Sequence, residues 1–128
     1  TPEMTRAFFR DTAGAAAAEF ALVVPLFILL VFSTINMGFA MSAIVRLHHA
    51  TEWAARCLSV DKSGTCTTAN ISTRTNAVFP IGGMSAITYT PTAPACGNQV
   101  VGNGTYNVFT GVNTISFTVR ARACYPLI

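Results

Sequence analysis

The side chains able to do chemistry are few: four cysteines, two adjacent histidines and five carboxylates in 128 residues. The cysteines stand at 57, 66, 96 and 124. None of their spacings forms a Cys-x-x-Cys pair, so neither a zinc knuckle nor a dithiol redox centre is expected. Structural disulfides are the remaining chemistry, which requires an oxidising compartment. Four cysteines allow three pairings. The preferred one is Cys57–Cys66, closing a turn after a helix, with Cys96–Cys124 tying a loop to the last strand. His48 and His49 are neighbours, and on a helix their side chains diverge by about 100°. The i,i+4 histidine pair of a zinc helix is absent, so no metal site is expected. The sequence holds no Gly-x-Ser-x-Gly elbow, no phosphate loop and no dinucleotide-binding glycine fingerprint. Beyond Glu52 the one carboxylate is Asp61, so a catalytic acid pair is missing too. The expectation is a protein that is not an enzyme and carries no cofactor.

The elements that position these residues are set by one apolar stretch. Between Glu19 and Arg46 no residue carries a charge. As a helix, Phe20 to Val45 spans roughly 39 Å at about 1.5 Å per residue, enough to cross a hydrocarbon core of about 30 Å. Composition agrees: the chain is 52% hydrophobic and 10% charged, outside the range of disordered chains. A net charge of +3 is spread over Arg46, Arg56, Lys62, Arg74, Arg120 and Arg122 without a run, so a nucleic-acid partner is excluded. Arg6 and Arg10 precede the apolar stretch and favour a cytoplasmic N-terminus. Small residues lie before the apolar run rather than after it, unlike a cleaved secretory signal. Pro25 is a helix kink, and Ser33, Thr34 and Asn36 are polar handles for a partner helix.

Residues 46–58, RLHHATEWAARCL, continue the helix in amphipathic form. Glu52 and Arg56 form an i,i+4 pair. Residues 59–128 read as a small head. A short helix is expected in Thr67–Phe79, with Ile71, Val78 and Phe79 on one face. Strands are expected at Ser85–Thr90, Gln99–Val101, Tyr106–Thr110 and Asn113–Cys124, with a turn at Gly102-Asn103-Gly104. The last is the clearest, because Ile115, Phe117, Val119 and Ala121 alternate with Ser116, Thr118, Arg120 and Arg122. The fold class is therefore α+β: one long N-terminal transmembrane helix continuing into a small disulfide-stapled head with a short antiparallel sheet.

The run from Arg10-Asp11 through Gly14-Ala-Ala-Ala-Ala-Glu19-Phe20-Ala21-Leu22-Val23-Val24-Pro25-Leu26 resembles the amino-terminal signature of TadE-like proteins. These are minor pseudopilins of the tight-adherence branch of type IV pili. The resemblance continues through Asn36-Met37-Gly38 and Ala50–Arg56 and covers about the first half of the chain. It implies a cytoplasmic leader at 1–14, cleavage by prepilin peptidase between Gly14 and Ala15, and a transmembrane helix at 15–45. The carboxylate of Glu19 would then meet the amino group of a neighbouring subunit during assembly. The implied location is a bacterial inner membrane, N-terminus cytoplasmic and head periplasmic or extracellular. The implied partners are membrane lipid, prepilin peptidase and the transmembrane helices of a pilus. The alternative is an uncleaved single-pass accessory subunit that stabilises a larger membrane complex.

Overall fold

A computed structural model describes residues 2–10, 12–109 and 113–127. Thr1, Asp11, Thr110 and Ile128, which belong to segments named above, lie outside the described residues, as does the side chain of Arg10. The elements in chain order are α1 (Pro2–Arg10), α2 (Thr12–Val60), α3 (Ile71–Val78), β1 (Met84–Thr92), β2 (Asn98–Phe109) and β3 (Thr114–Tyr125). The chain divides into two compact units, Thr1–Met37 and Gly38–Ile128.

The first unit is helical. From Phe20 its α2 residues are uncharged and mostly apolar, and their backbone polar groups are satisfied along the helix, the arrangement a lipid solvent demands. Pro25 sits inside α2 without interrupting it. Thr34 donates its hydroxyl to the Leu30 carbonyl at 2.8 Å, a local bond that leaves no unsatisfied donor there. One helix among the described residues, within Gly14–Val60, is long and apolar enough to cross a membrane.

The second unit is an α+β head. Its sheet runs β1-β2-β3, antiparallel throughout. In β2, Val100, Gly102, Gly104 and Tyr106 are buried at every second position, as a strand with one covered face requires. That face packs on α2, where Ala43, Leu47, Ala50 and Ala54 recur at helical spacing and are buried in the same core as Val100, Tyr106, Val119 and Ala121. Small α2 residues let the sheet approach closely. A Cβ built on Gly102 would lie 2.6 Å from Thr51 Oγ1, and one on Gly104 would strike the Met84 sulphur.

This packing corrects the expected turn at Gly102-Asn103-Gly104. β2 passes straight through it as one strand, with Gly102 opposite Ala121 and Asn103 opposite Arg120. The glycines serve close packing rather than chain reversal. Three smaller differences follow from tertiary context. β1 extends past Pro91, which its place on an edge strand permits because no inward ladder donor is needed there. Val78 is exposed, whereas Ile71 is fully buried. α2 ends at Val60 rather than Leu58, within the ordinary scatter of helix ends.

A bulge in β1 between Ser85 and Thr88 places Ala86 at φ 53°, the left-handed region that L-residues rarely adopt. It shifts the register by an extra residue and lets Tyr89, opposite Gly102, enter the core.

Candidate functional site

Three surfaces hold the chemistry-bearing residues. The first belongs to the helical unit. From Phe20 to Met37 the large apolar side chains of α2 other than Val24 are exposed, Phe20 at 71% and Leu29 at 64% among them. Glu19 is exposed at the start of that stretch, Ala15 is exposed and Gly14 is half-buried. An exposed apolar surface of this extent is unstable in water and marks contact with lipid or with other proteins.

The second surface is the loop that follows α2. Cys57 is bonded to Cys66, with Cα atoms 5.9 Å apart, and Cys96 to Cys124 at 6.3 Å. Asp61 organises the short loop between the first two. Its carboxylate accepts from the Ser63 hydroxyl, from Thr65 Oγ1 at 2.7 Å, from the Cys66 N–H at 2.6 Å and from the Ser63 N–H at 3.0 Å. These bonds, the Ser63 hydroxyl foremost, hold the carboxyl well below the usual carboxylate range. Cys57, Asp61 and Cys66 are close enough to suggest a metal site by distance. Their sulphurs are consumed in a disulfide and the carboxylate is fully engaged, so the cluster is a staple.

The third surface is a cleft of about 560 Å³ between α2 and β3, lined by His49, Glu52, Trp53, Arg56 and the consecutive residues Arg122–Tyr125. Four consecutive residues can line one cleft only if the cleft runs along the strand's edge, since their side chains alternate between faces. Trp53 is fixed by an edge-on contact with Phe79, ring centroids 5.8 Å apart. His49 belongs to this cleft, whereas His48 Nδ1 bonds the Ile44 carbonyl at 2.9 Å, so the two imidazoles serve different ends. Glu52 and Arg56 are exposed and make no ion pair with each other.

The two edges of the sheet differ. β1 is covered by α3: Asn76 Nδ2 donates to the Ile87 carbonyl at 3.2 Å, and the Tyr89 N–H donates to Ser72 Oγ at 3.3 Å. β3 has no such cover. Its end is pinned where Ser59 Oγ donates to the Tyr125 carbonyl at 3.2 Å. Between Ile115 and Cys124, among the described residues, no side chain bonds the main chain of β3. This cleft was invisible in the sequence, because strand order is needed to know which strand is an edge. The one available signal was the pair Arg120 and Arg122 on β3, a charge pattern typical of exposed edges.

Residues 14–56 match the family model described as TadE-like protein, the family that the sequence resembles. The match takes in the exposed apolar stretch, Glu19, and α2 as far as Arg56 of the cleft. No curated protein and no solved structure matches the chain.

Proposed function

We propose that this chain is a membrane-anchored structural subunit of a tight-adherence pilus assembly, acting as a TadE-like minor pseudopilin. The observation that carries the reading is the coincidence of two boundaries. The TadE-like match begins at Gly14, and the exposed apolar stretch of α2 follows within two turns. In this reading the span is the part of residues 15–45 that precedes Ala40, where α2 enters the core of the head; residues 1–14 lie on the cytoplasmic side, and the head of residues 59–128 is periplasmic, where its two disulfides are stable. No part of this role needs an active site: the helix inserts, packs against other helices and presents the head.

Glu19 is the assembly residue in this reading. A carboxylate at the edge of a lipid-facing helix is costly unless it is hydrated or paired. The amino group of a neighbouring subunit, released by cleavage after Gly14, supplies the pairing charge. The test is Glu19→Ala expressed in the native host. Filaments should fail to incorporate the variant while its membrane insertion stays normal; normal incorporation removes the role of the carboxylate. Intact mass of the protein from native membranes reports the cleavage separately. A chain that retains residues 1–14 within a stable complex of another kind identifies an accessory subunit instead.

A further inference from the structure

We propose that the cleft along β3 is a docking groove for an extended, acidic peptide segment of another protein, which pairs with β3 as a fourth strand. The inference concerns the head alone and goes beyond the membrane and pilus reading.

Three observations converge. First, β3 is an edge strand whose outward N–H and C=O groups are free over Ile115–Cys124, while the opposite edge is closed by Ser72 and Asn76 of α3. An unpaired edge offers regularly spaced main-chain donors and acceptors, which is what strand addition uses. Second, beside Arg122–Tyr125, at the C-terminal end of that edge, the groove has a second wall, built from the α2 residues His49, Glu52, Trp53 and Arg56. A peptide laid on β3 would thus have its backbone held by the strand and its side chains by the helix. Trp53 and Tyr125 supply apolar contact along the groove. Third, charge selects the occupant. Arg56 and Arg122 both line the groove against the single carboxylate Glu52, and neither arginine has an ion partner among the described residues. The other carboxylate of the head, Asp61, is spent on its own loop.

A second copy of the chain is a poor occupant. Antiparallel pairing of β3 with its own copy, centred on Ala121, sets Arg120 against Arg122 twice, and like charges directly opposite destabilise a strand pair. An acidic strand places its carboxylates against these guanidinium groups and gains paired hydrogen bonds.

The test uses the full chain in detergent micelles. The probe is a heptapeptide of alternating Thr and Val with two Glu substitutions and a free C-terminal carboxylate. Two signals report on it: the emission of Trp53, the single tryptophan of the chain, and amide hydrogen exchange along β3. Binding should shift the Trp53 emission and slow exchange at alternate amides of Ile115–Cys124, leaving β1 unchanged. Arg56→Gln and Arg122→Gln, both at exposed positions, should each weaken binding about tenfold, and so should replacing the peptide's Glu by Gln. Unchanged exchange along β3 at millimolar peptide overturns the proposal, as does equal binding of the Glu and Gln peptides. Cross-linking of β3 to β3 between two copies, or a Trp53 shift with phosphatidylglycerol vesicles without protection of β3, overturns it in favour of self-pairing or of lipid.

Discussion

The two stretches of α2 on either side of Met37 each present an apolar surface, and these surfaces meet different surroundings. Before it, Leu29 and Phe32 are more than 60% exposed; after it, Leu47, Ala50 and Ala54 are fully buried. The residue types follow from this. The exposed stretch is built from Leu, Phe, Val and Ile, which suit a fluid apolar solvent that adapts to any shape. The buried stretch uses alanine at 40, 43, 50, 54 and 55, because its neighbour is a solid sheet that must come close. Side-chain size, besides charge, tells the two apolar surfaces apart.

The comparison is broken most directly by placing a charge in each stretch. Leu47→Asp should unfold the head, with a loss above about 4 kcal/mol for an unpaired buried charge. Leu29→Asp should leave the thermal unfolding of the head unchanged and instead impair membrane insertion, by roughly 2.5–3.5 kcal/mol on insertion scales. Equal effects of the two on head unfolding, followed by circular dichroism, would show that the stretches are not distinct.

The disulfides sharpen the same contrast, because both belong to the head. Removing Cys96–Cys124, with a sequence separation of 28, should cost roughly 3.6 kcal/mol by loop entropy; removing Cys57–Cys66, with a separation of 9, should cost roughly 2.6 kcal/mol. Denaturant titration of paired serine variants measures both, and the reverse order would show that the Asp61 loop depends on its covalent closure. Gly102→Ala tests the close approach of sheet and helix. It should cost about 1–3 kcal/mol by overpacking against Thr51 and Tyr89. A shift in melting temperature within error would mean the contact yields easily. The smallest effect is expected at Tyr89, whose hydroxyl is buried without a hydrogen-bond partner among the described residues. Burial pushes its pKa upward. Tyr89→Phe removes an unsatisfied group and should be neutral or stabilising by up to about 1 kcal/mol. A clear loss of stability would reveal a partner for that hydroxyl.

What the sequence made legible was the part written in local periodicity. The uncharged run before Arg46, the alternation from Ile115 to Ala121 and the short helix ahead of Pro80 all have local causes, and the structure contains each of them as an element, though on the apolar face of β3 only Val119 and Ala121 are buried while Ile115 and Phe117 stay exposed. Gly102-Asn103-Gly104 was misread because its local signal is that of a turn, while its cause is Thr51 on a helix far away in sequence. Spacing sets Ile71, Val78 and Phe79 on one face, but α3 turns Ile71 and Thr75 inward and leaves Val78 exposed. The β3 cleft lay wholly beyond the sequence. Trp53, Arg56 and Arg122 become neighbours only when the order of strands and the packing of α2 are known.

The order of the strands has a consequence for how the head is made. Sheet order equals chain order, so each strand pairs with the one synthesised just before it. A chain growing from its N-terminus presents the Ala43–Ala54 face of α2 first, then offers β1, β2 and β3 to it one at a time. No strand has to be inserted between two others already paired, and the loop-closure entropy of each new pairing stays small. Assembly can thus proceed as a ratchet, in which Val119 and Ala121 of the last strand complete the core and Cys124 reaches Cys96 to lock it.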